Sequence, residues 1–285
     1  MVRAKALAKA VPVSTALGAS LMGMNFIQML SVGLAPFNRQ AFRAVNRWAG
    51  DTWWSLCVSV SEKLNGVEIK YSGDEIPYGE NVILVCNHQE MTDITLLMDF
   101  AKSKGRLGDM KFFVKDVLKY VPGVGWGMFF MGHFFVKRNW NEDRASIEQT
   151  FAGILRDNIP VWLISFVEGT RSTPDKIERS QAYAREKGHQ ETKHVLLPRT
   201  KGFVASMAGL RDYVDAVYDV TMGYPDGLPS LWQFVQGHAP LAHIHVRRYP
   251  IAEMPTDEAD LSQWLFDRFV EKDELLDGYY RQGHF

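Results

Sequence analysis

Between Lys9 and Arg39 the chain carries no charged side chain, a run of 29 residues from Ala10 to Asn38. An uncharged segment of that length must hide in a core or lie in an apolar medium. About 20 apolar residues cross a hydrocarbon layer, so the length permits a crossing. The run is diluted by Asn25, Gln28, several serines and glycines, with Pro12 and Pro36 near its ends. Arg3, Lys5 and Lys9 precede it and Arg39, Arg43 and Arg47 follow. These flanks balance, so they set no orientation across a membrane. A cleaved signal peptide fits poorly, because the run is long and no small-x-small site closes it. Membrane insertion is the expectation.

A second helical pattern follows. Val45, Trp48, Ala49, Thr52, Leu56, Val60 and Leu64 recur at three- and four-residue steps, which is a helical stripe. Trp48, Trp53 and Trp54 beside Arg43 and Arg47 have the composition of interfacial anchors. Gly66 is placed to end this helix.

Past Gly66 the pattern changes to alternating strands and helices. Strands are expected at VEIKYSG, NVILVCN, HFFVKR, VWLIS, HVLLPRTKGF, AVYDVTMGY and HIHVRRYPI. Helices are expected at MTDITLLMDFAKSKG, DMKFFVKDVLKYVPG, NEDRASIEQTFAGILRDN, within residues 175–194, at VASMAGLRDYV and from Thr256 to Leu276. Asn141 or Asp143 is available as a helix cap. Lys111, Lys115 and Lys119 would share one helix face. GVGWGMFFMG holds too many glycines for a firm helix. The expected fold class is α/β: a mixed, mostly parallel central sheet flanked by helices, behind an N-terminal membrane-associated helical pair.

Charge and cysteine content exclude some functions. A net charge of -1 without a basic region argues against nucleic acid as a partner. Cys57 and Cys86 cannot form a disulfide framework, and the lack of Cys/His spacing argues against zinc. A reducing compartment fits the bulk of the chain.

Three polar clusters stand just past the ends of apolar strands: Asn87-His88 with Asp93, Lys137-Arg138, and Glu168-Gly169-Thr170-Arg171-Ser172. Ligands of α/β folds gather at that edge. Neutral imidazole accepts a proton near pH 7, and a carboxylate on its other nitrogen fixes the tautomer. Either residue alone would be an ordinary core histidine or a helix cap; together at one strand mouth they suggest a base and its partner. No serine is obviously placed as a nucleophile, so His88 is expected to deprotonate a substrate hydroxyl. Arg138 and Arg171 match phosphate bidentately. Gly169 admits backbone close to a ligand. Glu168 could hold an arginine or accept from a substrate hydroxyl. Lys201, in a turn after LLPRT, is a further candidate.

At these residues the sequence resembles the glycerophospholipid acyltransferases. NHQEMTD matches the family's N-H-x4-D motif, GHFFVKR its aromatic strand closed by arginine, FVEGTRS its F-x-E-G-T-R-S motif, and VLLPRTKGF its proline-bearing fourth motif. VYDVTMGY and FVEKDELL resemble the lysophosphatidic acid branch. The likeness covers about residues 67–285 and implies His88 as general base, Asp93 as its partner, and Arg138, Glu168, Gly169 and Arg171 as acceptor-binding residues; Thr170, in the same turn, and Lys201 complete the expected substrate-binding set. It implies acyl transfer to the sn-2 hydroxyl of 1-acylglycerol-3-phosphate. The acyl donor would be acyl-CoA or acyl carrier protein, with no cofactor and no metal. Another lysophospholipid, such as lysophosphatidylinositol or lysocardiolipin, is the alternative acceptor, and a lipid-binding membrane protein the non-enzymatic one. Lys137 stands where members often carry an acidic residue, which bears on head-group choice. Residues 1–66 would then be membrane-associated helices and 67–285 the acyltransferase domain. That domain would face the cytoplasm from a bacterial inner membrane or the endoplasmic reticulum.

Overall fold

Residues 2–137, 139–236, 238 and 241–285 are described by a computed structural model, with side chains from Ala10 onward. The helices are α1 (Val2–Ser31), α2 (Arg39–Lys63), α3 (Thr92–Ser103), α4 (Val124–Phe130), α5 (Trp140–Arg156), α6 (Pro174–Lys187), α7 (Thr200–Leu210), α8 (Leu231–Val235) and α9 (Glu258–Gln282). The strands are β1 (Glu68–Gly73), β2 (Val82–Cys86), β3 (Met110–Lys115), β4 (Phe134–Val136), β5 (Trp162–Ser165), β6 (Ala216–Gly223) and β7 (Leu241–Pro250). They form one sheet in the order β1-β7-β6-β2-β5-β3-β4. Strands β6, β2, β5, β3 and β4 run parallel, whereas β7 is antiparallel to β6 and β1 follows β7. The expected mixed, mostly parallel α/β sheet is what forms.

Strand β2 is buried along its whole length because both of its faces are covered. Val82, Leu84 and Cys86 join a core with Trp54 and Val58 of α2 and Leu96, Leu97 and Phe100 of α3. Ile83 and Val85 point the other way, into a core with Phe151 of α5, Phe203 of α7 and Phe269 of α9. The parallel strands therefore deliver their carboxyl ends, and the loops that follow, to one edge.

Four local expectations are overturned. DMKFFVKDVLKYVPG is not a helix but strand β3 followed by a 3-10 turn, Asp116–Tyr120. Phe112, Phe113 and Val114 suit a pleated strand, and pairing with β5 and β4 decides the matter. The three lysines consequently share no helix face: Lys111 is buried, Lys115 is exposed, and Lys119 pairs with Asp116 at 2.6 Å. GVGWGMFFMG does form a helix, α4. Gly125 serves close approach: a Cβ there would stand 1.8 Å from the Leu118 carbonyl oxygen. The proline-bearing stretch 194–199 is no strand. The N–H groups of residues 194–197 go to side chains, that of Arg199 reaches the Val167 carbonyl only as a lone backbone bond at 2.7 Å, and Thr200 already begins α7. Helix α5 is capped by Asn139, not by Asn141 or Asp143.

The stripe read on α2 is not its buried face. Of its members only Ala49 is buried, while Trp48, Leu56 and Leu64 are exposed. The buried face is Asn46, Ala49, Gly50, Trp54, Val58 and Ser61, whose small residues admit close packing; Gly50 lies against Met131. Of the three tryptophans only Trp48 is exposed; Trp54 is in the core, and Trp53 donates to the Leu17 carbonyl at 3.2 Å.

Helix α1 has the same inverted character. Asn25, Gln28 and Ser31 are buried, whereas Met22, Phe26, Met29 and Leu30 are exposed. The polar groups satisfy one another: Asn25 donates to Gln28, Asn46 of α2 donates to Ser31 at 3.0 Å, and Asn25 accepts from the Gly123 N–H at 2.9 Å. Ala10–Leu34 is long and apolar enough to cross a membrane, by length and composition.

Candidate active site

The site grows from the carboxyl end of β2. Asn87 locks the chain there by pairing both amide atoms with the Met222 backbone at the end of β6, each bond 2.9 Å. His88 follows, and Asp93 returns toward it from the first turn of α3, where a helix N-terminus favours an anion. His88 Nδ1 lies 2.9 Å from Asp93 Oδ2. The same oxygen accepts from the N–H groups of Gln89 at 2.7 Å and Glu90 at 2.9 Å. Tyr224 donates its hydroxyl to Asp93 Oδ1. Asp93 is fully buried and both its oxygens are occupied. An ionised carboxyl only accepts, so the ring donates from Nδ1 and its Nε2 keeps a lone pair. The ring stacks on Phe166 with centroids 4.0 Å apart, and its side chain stays 12% exposed.

Glu168, past β5, holds no arginine among the described residues. It is buried and accepts from the His88 N–H at 2.8 Å and the Leu196 N–H at 3.1 Å. Burial pushes its carboxyl up to about 8, against the two N–H donors that favour the anion. Ser172 in turn donates its N–H to the His88 carbonyl at 2.8 Å, so the E-G-T-R-S turn is tied to the histidine turn at two points.

The rest of the turn carries positive charge. Arg171 is 46% exposed and donates to Glu90. Thr170 Oγ1 accepts from Lys176 Nζ at 2.8 Å, as does the Arg171 carbonyl at 2.9 Å. Gly169 adopts φ +72, and the Arg199 side chain lies 3.1 Å from where a Cβ would be. Arg138 lies outside the described residues. Lys201 is exposed in the first turn of α7, and no contact ties it to His88. Among the described residues no group of three or more His, Cys, Asp or Glu side chains is arranged to hold a metal ion.

Sequence reasoning missed Tyr224, Phe166, Lys176 and Arg199. Arg199 is exposed and its guanidinium makes no hydrogen bond or ion pair among the described residues. Its position next to Pro198, in the fourth motif, was the available signal. Tyr224 lies in the VYDVTMGY stretch, but nothing local marks its hydroxyl as a partner of Asp93. The site as a whole offers a tautomer-fixed imidazole, an open Nε2 and two partly exposed guanidinium groups. Cys86, the nearest thiol in sequence, is buried, and burial pushes it up, so no thiolate is offered there.

Comparison with known proteins gives the family of the chain. Residues 68–224 match the family described as Acyltransferase, and residues 233–285 match Acyltransferase C-terminus. "Probable 1-acyl-sn-glycerol-3-phosphate acyltransferase 5" of Arabidopsis thaliana is 37% identical over 82% of this chain and 63% of its own length. "1-acyl-sn-glycerol-3-phosphate acyltransferase 2" of Brassica napus is 31% identical over 96% of this chain and 72% of its own. The chain thus spans about two thirds of these relatives' lengths. A crystal structure of the 1-acyl-sn-glycerophosphate (LPA) acyltransferase PlsC from Thermotoga maritima matches with a TM-score of 0.49 at 17% identity, covering 88% of this chain and 94% of that one.

Proposed function

The chain belongs to the acyltransferase family that includes the 1-acyl-sn-glycerol-3-phosphate acyltransferases, and from that premise we propose that it acylates the free sn-2 hydroxyl of 1-acylglycerol-3-phosphate to give phosphatidic acid. The observation that carries the reading is the 2.9 Å His88–Asp93 bond, which leaves Nε2 open beside the E-G-T-R-S turn.

His88 Nε2 takes the proton from the acceptor hydroxyl as its oxygen attacks the thioester carbonyl. Asp93 steadies the imidazolium that forms. The tetrahedral intermediate then collapses, the carbon–sulfur bond breaks, and the imidazolium returns its proton to the departing thiolate. The products are phosphatidic acid and the free thiol of coenzyme A, or of acyl carrier protein. The N–H groups of Thr170 and Arg171 make no hydrogen bond among the described residues and are available as oxyanion donors. Arg171 and Arg199 supply charge for the acceptor phosphate.

Two surfaces support a membrane-bound acyl-chain reaction. Helix α1 turns its polar residues inward and its apolar ones outward, the reverse of a helix facing water. Exposed Phe37, Trp48, Val117, Tyr120 and Phe129 add further apolar surface. A groove of about 350 Å³ lies between Met29 of α1, Lys119 and Tyr120, and Trp126, Phe129 and Phe130 of α4. It adjoins the turn after β3, at the same sheet edge as His88, and its apolar lining suits a fatty acyl chain. In this reading the α1–α2 pair anchors the protein with the site on the cytoplasmic side.

The test is a panel of lysolipid acceptors with acyl-CoA and the purified full chain in detergent. Lysophosphatidic acid is expected to be acylated, and His88→Ala to lower the rate at least about a hundredfold. Failure to use lysophosphatidic acid while acylating lysophosphatidylinositol or lysocardiolipin would overturn the acceptor assignment. Turnover unchanged in His88→Ala would overturn the mechanism.

A further inference from the structure

Helix α9 lies within the C-terminal stretch, yet two stripes of its side chains reach both walls of the site. One stripe is Lys272, Leu276 and Tyr279, at steps of four and three residues on one helix face. Lys272 is fully buried and donates to Asp219 Oδ1 at 2.5 Å, to the Val220 carbonyl at 2.7 Å and to Thr221 Oγ1 at 3.0 Å. Those three acceptors are consecutive residues of β6, just before Met222 and Tyr224. Met222 holds Asn87 and Gln89, and Tyr224 holds Asp93. Tyr279 packs on the same strand end at Gly223, where a Cβ would come within 2.6 Å of its ring.

The neighbouring stripe is Asp273, Asp277 and Tyr280. Asp273 Oδ1 accepts from the N–H groups of Lys193 at 2.8 Å, His194 at 2.6 Å and Val195 at 3.3 Å. Asp277 meets His194 at 3.4 Å, and the Tyr280 ring lies 5.2 Å from the His194 ring. Residue 196 follows directly, and its N–H holds Glu168, which holds the His88 N–H. Two consecutive side chains thus terminate two separate chains of bonds. One ends on Asp93 and the other on the backbone of His88.

We propose that Lys272 and Asp273 are paired positioning residues that keep Asp93 and His88 in register from opposite sides. The proposal rests on the acyl-transfer reading above. It gives the C-terminal helix a part in the reaction, although neither side chain touches the dyad. Lys272 acts through β6 and Tyr224, Asp273 through residues 193–196 and Glu168. The Asp219 carboxyl that Lys272 engages is itself buried and also takes Arg247 at 2.6 Å, so the strand end is held by charge as well as by packing. A displacement of about 1 Å at a reacting pair costs about a hundredfold in rate.

The experiment compares Lys272→Met, Lys272→Met with Asp219→Asn, Asp273→Ala and Asp273→Asn in the full chain, at a temperature where circular dichroism shows each to be folded. The double variant removes both members of the Lys272–Asp219 pair, and Arg247, which Asp219 also engages, keeps Glu271, so no buried carboxylate is left short of a cation. The kcat of the double variant is nevertheless expected to stay at least about tenfold down with KM for both substrates within about twofold. Asp273→Asn keeps an acceptor oxygen for the three N–H groups and is expected to retain several times the kcat of Asp273→Ala. Independently of turnover, hydrogen exchange of the His88, Gln89 and Glu90 amides is expected to accelerate in the double variant and in Asp273→Ala, while amides of α2 stay unchanged. A folded double variant with wild-type kcat and unchanged exchange at residues 88–90 would overturn the proposal. Losses that only track the unfolded fraction would do the same. An inactive wild-type chain would instead count against the acyl-transfer reading, and the exchange measurement would still decide the positioning role.

Discussion

Replacing Asp93 with Asn separates charge from geometry in the dyad. Three donors converge on Asp93 Oδ2: His88 Nδ1, Gln89 N and Glu90 N, at 2.7 to 2.9 Å. Tyr224 donates to Oδ1. An amide in this place has one favourable orientation. Its oxygen must sit where three N–H groups point, because an NH2 group there would face three donors. The Tyr224 hydroxyl can turn to accept from the amide nitrogen. His88 therefore keeps its Nδ1–H tautomer, and Nε2 stays a base. What disappears is the negative charge beside the imidazolium. With charge centres about 4 Å apart and an effective dielectric constant of about 20, that attraction is about 4 kcal/mol. Each ~1.4 kcal/mol is tenfold in rate, so kcat is expected to fall about a thousandfold. Stability changes by only about 1 kcal/mol, the difference between a charge-assisted and a neutral hydrogen bond, or a few degrees in melting temperature. The assay is the initial rate of acyl transfer beside thermal unfolding of the same preparation. A rate within tenfold of wild type would show that no imidazolium forms next to Asp93. A collapse of the melting temperature would refute the orientation argument.

Glu168 should give the protein a pH-dependent stability. Its carboxyl is raised from the usual 4.5 to about 8, so the folded chain holds a proton that the unfolded chain releases. The stabilisation is complete below about pH 4.5 and is lost as pH rises toward 8; melting temperatures across that range are expected to fall, and a flat profile would contradict it. Glu168→Gln should flatten that slope and cost about 1–3 kcal/mol, because its NH2 must face the His88 or the Leu196 N–H. Arg199→Ala should raise KM for the lysophosphatidic acid acceptor about ten- to a hundredfold with little change in kcat, the range for one charged hydrogen bond; steady-state kinetics at fixed donor will show it. Trp126→Ala enlarges the groove against α1 and should move donor preference toward bulkier acyl chains, read from a series of acyl-CoA lengths.

The short-range parts of the protein were legible in one dimension. An apolar run too short for a helix, ending in Asn-His, marks β2 and the mouth of the site. Asp93 follows His88 by five positions, and one helical turn brings it back to the ring. Glu168, Gly169 and Arg171 cluster for the same reason: they share one turn. The uncharged stretch 10–38 marks a segment long and apolar enough to cross a membrane, by length and composition.

The tertiary structure decided what lay between distant segments. Met110–Lys115 has residues that suit a helix or a strand, and only pairing with β5 and β4 chose the strand. Tyr224 meets Asp93 across 131 positions, and Lys272 and Asp273 brace the two walls across 53 and 79. The inward turn of Asn25, Gln28 and Ser31 depended on Asn46 and the Gly123 loop being there to receive them. Periodicity reports which residues share a face, since neighbouring residues fix that geometry. Which face is covered, and which carboxyl finds its donor, depends on chain segments that no local pattern encodes.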